Sequence, residues 1–91
     1  MYRHTLHMEC PSTTAGFEQM RGLLDINFPK GYTLTTGQGS YAGIRENCAM
    51  VTIIADKALD LSISAFCVAY KEAFNQQTVL QTTDLISVTW R

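Results

Sequence analysis

Between positions 38 and 47 the chain gathers Gln38, Ser40, Tyr41, Arg45, Glu46 and Asn47, just before an apolar run from Ala49 to Ala55. Only 16% of the residues are charged, so a polar site belongs in this stretch. Glu46 is the sharpest candidate. A carboxylate at the entrance of an apolar strand is only partly solvated and can serve a cation. The same carboxylate can instead end a strand as the ion-pair partner of Arg45 or Lys30, which is a structural role. Gln38, Ser40, Tyr41 and Arg45 supply hydrogen-bonding groups that could hold the rest of a bound molecule. The Gly37-x-Gly39 spacing is a poor phosphate cradle, because it lies in a hairpin and has no helix N-terminus behind it.

The other reactive side chains offer less. Cys10, Cys48 and Cys67 are odd in number and far apart, so they form neither a disulfide framework nor the close pairs of a zinc site, and they read as small hydrophobes in a reduced compartment. His4 and His7 are three apart on an expected strand and fall on opposite faces, which argues against a shared metal. No metal site is expected. The 7 basic and 8 acidic residues are scattered without runs, giving a net charge of −1. That balance excludes a domain held to nucleic acid or to an anionic membrane by its field. The opening Tyr2-Arg3-His4-Thr5 is unlike a signal peptide, and no apolar run approaches a membrane span, so the expected location is the cytoplasm.

The elements that must position this stretch are legible from periodicity. From Tyr2 to Cys10, apolar and polar residues alternate as on a strand with one buried face, and Pro11 ends it. The Ser12-Thr13-Thr14 cluster can cap a first helix carrying Phe17, Met20, Leu24 and Phe28, with Pro29 and Gly31 as its stop. Tyr32 to Thr36 reads as a second strand, residues 37–43 as a flexible glycine-rich segment, and Ala49 to Ala55 as a central strand. Asp56 is the expected cap of a second helix with Leu59, Ile63, Phe66, Cys67, Tyr70 and Phe74 on one face. A last strand is expected from about Val79 to Trp90, broken near Thr82-Thr83-Asp84, with Ile86, Val88 and Trp90 sharing a face.

This order predicts a single α+β domain over residues 1–91, a ferredoxin-like βαββαβ sandwich with a four-stranded antiparallel sheet and two helices on one face. Arg3, Thr5, His7 and Glu9 would then line the open face or cover an interface. Three chemistries known on such a frame are excluded. Met8-Glu9-Cys10 begins a soft-metal motif, but Thr13 stands where the second thiol belongs. Met50-Val51-Thr52-Ile53-Ile54 carries no aromatic or basic residue for RNA stacking. The segment from Pro11 to Gly16 has no arginine for an acylphosphatase loop. A 91-residue chain buries only about 60–65% of its unfolded surface, and with 46% hydrophobic residues it is expected to self-associate.

Several segments together resemble the bacteriophage S-adenosylmethionine lyases, formerly called S-adenosylmethionine hydrolases. The Gly43-Ile44-Arg45-Glu46 stretch has their Gly-x-x-Glu form, and an amphipathic helix leads through Tyr70-Lys71-Glu72-Ala73-Phe74 to a strand entry at Val79-Leu80. The closest matches are the Arg45-Glu46 pair and Val79-Leu80. Phe28-Pro29-Lys30-Gly31-Tyr32 and the helix-to-strand passage are also similar to an uncharacterised bacterial domain family. The lyase resemblance implies a PII-like homotrimer with sites between subunits. It also implies S-adenosylmethionine as substrate, cleaved without a cofactor to methylthioadenosine and homoserine lactone, depleting a host's methyl donor. Glu46 is carried over as the catalytic residue, with Gln38, Ser40, Tyr41 and Arg45 as substrate-binding groups. The alternatives from other classes are a non-catalytic PII-like nucleotide sensor and an interaction module without a small ligand.

Overall fold

The computed structural model describes residues 1–56 and 59–91, and all their side chains except that of Tyr41. Strand β1 (Tyr2–Glu9) is followed by helix α1 (Thr14–Asn27), strands β2 (Thr33–Tyr41) and β3 (Ile44–Ala55), helix α2 (Asp60–Phe74) and strand β4 (Leu80–Leu85). The four strands form one antiparallel sheet in the order β2-β3-β1-β4. This is the ferredoxin-like arrangement that the alternation and helical spacings predict.

The alternation in β1 explains why that strand is central. His4, Leu6 and Met8 are buried, while Arg3, Thr5, His7 and Glu9 point to the opposite face. All eight residues pair with β3, from Tyr2 opposite Ala55 to Glu9 opposite Cys48. On its other edge β1 pairs with β4, from Tyr2 opposite Leu85 to His7 opposite Leu80.

Both helices cover the face that carries Leu6, Met8, Ala49, Val51 and Ile53, and they add Met20, Leu24, Ile63, Phe66 and Tyr70 to one core. Phe28, Phe66, Tyr70 and Phe74 form an aromatic file with successive ring centroids 5.8, 5.8 and 4.9 Å apart. The Thr13 hydroxyl accepts the Gly16 N–H at 3.0 Å and caps α1, as the Ser-Thr-Thr cluster predicts.

Three boundaries depart from expectation. Residues 37–43 are not a flexible segment: β2 runs to Tyr41 and β3 starts at Ile44, so only Ala42 and Gly43 form the turn. Both have positive φ, 51° and 80°, the primed-turn conformation whose twist matches a hairpin. Helix α2 starts four residues after Asp56, with Leu59 as its N-cap and no side-chain cap, and Asp60 in the first turn complements the dipole instead. The last strand is intact through Thr82-Thr83-Asp84 and stops at Leu85, whereas residues 86–91 have no regular structure.

Candidate functional site

Paired residues on neighbouring antiparallel strands share a face, so the register decides which polar groups can act together. Glu46 lies opposite Gly39, and Glu9 lies opposite Cys48, two residues farther along β3. Both carboxylates therefore stand on the open face, away from the helices, at the same end of the sheet. His7 follows on that face, opposite Met50 in β3 and Leu80 in β4.

Gln38 pairs with Asn47 and Ser40 with Arg45, which places these four on the other face of the β2–β3 ribbon. The hairpin thus divides the expected substrate-binding residues from Glu46. Ser40 still reaches the cavity that Glu46 lines, whereas Gln38 and Asn47 line a different one with Cys10. Arg45 is exposed and lines neither. Tyr41 closes β2, and its side chain lies outside the described residues.

The cavity at Glu46 has a volume of about 730 Å³. His7, Glu9, Glu46, Cys48 and Leu80 line it, together with residues 75–78 between α2 and β4. Among the described residues, none of its lining side chains is lysine or arginine. It is consequently a recess that gathers two carboxylates and the His7 imidazole. Glu46 also makes no ion pair: among the described residues the one such pair is Arg3 with Asp84 at 3.2 Å. The structural role open to Glu46, a strand-end pair with Arg45 or Lys30, is absent among the described residues.

Gly39 matters to this geometry because the position facing Glu46 carries no side chain. A Cβ there would lie 3.9 Å from the Cys48 sulfur, an ordinary contact, so the glycine is not required by crowding from that sulfur. Its absence of bulk leaves Glu46 uncovered on the β2 side.

The floor beneath the carboxylates is fixed from the core. The Tyr70 hydroxyl donates to the backbone carbonyl of Glu9, and the Cys10 N–H donates to the Asn47 carbonyl at 2.9 Å, continuing the β1–β3 ladder past Glu9. Burial pushes the Tyr70 phenol up to about 12, with Cys10 and Glu9 adding to the shift. It is a structural donor that keeps its proton at neutral pH.

Cys10 and Cys67 show no sign of activation. Burial raises the Cys10 thiol, with Cys48 adding to it, and burial raises Cys67 against a smaller opposing pull from Lys71. Raised thiols are poor nucleophiles at neutral pH. Among the described residues no three metal-ligating side chains come together.

A larger recess of about 790 Å³ lies beside α1 and the edge strand β2, between Phe17, Arg21, Asp25, Phe28 and Tyr32. There the Tyr32 hydroxyl donates to Asp25 at 2.5 Å, and none of the expected site residues lines it.

Sequence reasoning named Glu46 but not its companions Glu9 and His7. The signal was available: Glu9 ends β1 and Glu46 lies near the start of β3, and an antiparallel neighbour relation brings those two ends together.

Over 99% of its length the chain superposes on 93% of CPII, a nitrogen regulatory PII-like protein from Thiomonas intermedia K12 solved with ADP, AMP and bicarbonate. The TM-score is 0.64 and the sequence identity 18%. It also resembles the de novo designed protein Foldit4, with TM-score 0.55, 6% identity, and coverage of 94% of this chain and 96% of the design. A natural regulator and a designed protein share the frame, which therefore carries the fold and leaves the function to the site. No curated protein matches the sequence. Residues 18–90, from α1 through the hairpin with Glu46 to the residues after β4, match one family model, and the chain belongs to that family, the proteins of unknown function DUF3574.

Proposed function

We propose that the protein is an S-adenosylmethionine lyase acting as a homotrimer with its sites between subunits. The carrying observation is the recess beside Glu46, where the carboxylates of Glu9 and Glu46 meet and, among the described residues, no lysine or arginine balances them. Such a recess suits a cation. The substrate has a sulfonium and an ammonium, and Glu46 is the residue that the resemblance carries over as catalytic.

The reaction asks little of a protein beyond what these residues offer. An oxygen of the substrate's own carboxylate forms a bond to the γ-carbon while the bond from that carbon to sulfur breaks, and the electron pair leaves on sulfur. Negative carboxylate and positive sulfonium cancel, no proton moves, and methylthioadenosine and homoserine lactone result. Folding the substrate into the attacking conformation and excluding water are the main tasks. Glu46 holds the sulfonium or the ammonium, and Ser40 at the rim of the recess can hydrogen-bond the nucleoside or amino-acid part.

Incubation with S-adenosylmethionine, followed by chromatography for methylthioadenosine, tests the reading. Glu46→Gln keeps shape and removes charge, so its rate should fall at least about tenfold, equivalent to about 1.4 kcal/mol, without a drop in melting temperature. An unchanged rate would take Glu46 out of the site. A wild-type protein that forms no methylthioadenosine at all would sink the lyase reading. The second reading, a PII-like nucleotide sensor, draws on the likeness to CPII with its bound ADP and AMP. A sensor would gain thermal stability from an adenine nucleotide and return it intact.

A further inference from the structure

The segment after β4 is written as a strand but, among the described residues, has no strand beside it. Ile86-Ser87-Val88-Thr89-Trp90 alternates apolar and polar residues, is rich in β-branched and aromatic types, and carries no charge. Yet β1, β3 and β4 all end at one level, with Ala55 opposite Tyr2 and Tyr2 opposite Leu85. One further bond, from the Ile86 N–H to the Met1 carbonyl at 2.9 Å, completes the ladder. Residues 87–90 have no regular structure, with Ile86 and Val88 half-buried and Trp90 87% exposed.

The opposite edge of the same sheet has the matching deficit. Among the described residues strand β2 pairs with β3 alone, and its outer backbone groups lack a strand partner. Exposed edges are normally blunted by lysine, proline or another charge. The nine residues Thr33-Leu34-Thr35-Thr36-Gly37-Gln38-Gly39-Ser40-Tyr41 contain none of these. The outer edge strand β4, by contrast, carries Asp84, bound to Arg3.

We propose that residues 86–90 of one copy of this chain pair with the outer edge of β2 in a second copy, adding a fifth strand to its sheet. A second copy is the occupant because the chain presents both halves of the joint: an uncharged strand without an edge and an uncharged edge without a strand. Two different surfaces meet, so the contact is heterologous and is satisfied throughout only when the copies close into a ring. The inference is independent of any catalytic reading.

Hydrogen exchange on the intact wild-type protein, read alongside its mass in solution, tests it. The particle should exceed the 10.2 kDa of one chain. In that particle the amides of residues 86–90 should exchange at least about a hundredfold more slowly than in an unstructured peptide. Val88→Pro removes a donor from the arm at a position outside the described helices and strands. It should return the mass to 10.2 kDa with an unchanged circular dichroism spectrum. A 10.2 kDa wild-type particle at micromolar concentration overturns the proposal. So does an oligomer whose arm amides exchange freely, or a Val88→Pro protein that keeps the wild-type mass.

Discussion

Tyr70 links the core to the open face through one atom. Its ring continues the aromatic file of α2, and its hydroxyl ties down the carbonyl of Glu9, whose carboxylate stands in the recess beside Glu46. Tyr70→Phe keeps the ring and strands that carbonyl, at a cost of about 1–2 kcal/mol. For a chain of this size the melting temperature should fall by roughly 4–8 °C per kcal/mol. The pH dependence has a definite sign. Burial raises the phenol to about 12 in the folded state. The folded protein then holds the proton more tightly than the unfolded chain, whose tyrosines titrate near about 10. This contribution is complete below about pH 10 and is lost as the pH rises from about 10 to 12. The wild type should lose melting temperature faster than Tyr70→Phe across that window, and parallel profiles would remove Tyr70 from the account. At this scale Glu46 stands out as a candidate because an acid before an apolar run is a local signal, although its carboxylate is exposed in the structure and not partly shielded as the apolar run suggests. Its separation from Gln38 and Arg45 was not legible, because faces are assigned by a register that starts at a turn, and the turn was misplaced.

At the scale of elements the sequence was readable wherever burial imposes a period and unreadable where it does not. The alternation of β1 and the spacing of Phe66, Tyr70 and Phe74 reflect one buried face each, and β1 and the body of α2 fall where expected. The hairpin beyond Thr36 has mostly exposed residues on both faces among those described, so neither Gly37 nor Gly39 betrays a strand. Its pairing comes from the turn. Ala42 at φ 51° pays a steric penalty there that Gly43 at φ 80° does not. Ala42→Asn would create the Asn-Gly pair that this turn favours and should stabilise the protein by about 0.5–1 kcal/mol. Differential scanning calorimetry checks it, and a neutral or negative shift would mean that the turn is not of the primed type. The start of α2 departs for another reason: Asp56 is a good cap by type, but the helix begins at Asp60 and, among the described residues, no side chain caps it.

At the scale of the molecule the open face is the unfinished surface. Met50 is 41% exposed, Ile54 49% and Leu80 62%, set among Thr5, Thr33, Thr52 and Thr82, which the register aligns in one row across all four strands. The fold and its bare face follow from the alternation, but what covers that face has no signature in a single chain. Under the proposed lyase reading, the electrostatics of the site favour a covered recess. At about 4 Å, a carboxylate and a cation attract by roughly 1 kcal/mol in bulk water and by roughly 4 kcal/mol at an effective dielectric near 20. Glu46 is exposed in one chain, so alone it works at the weak end of that range. A second subunit over the recess would move it toward the strong end, a gain of about 3 kcal/mol, or roughly a hundredfold in affinity for the sulfonium substrate. Specific activity should therefore fall on dilution through the dissociation range of the oligomer, and added methylthioadenosine should hold the oligomer together to lower protein concentration. Light scattering and methylthioadenosine production measured on the same dilution series decide the matter. A specific activity that stays constant after the particle has fallen to one chain would place the whole site within a single subunit and remove the need for a partner.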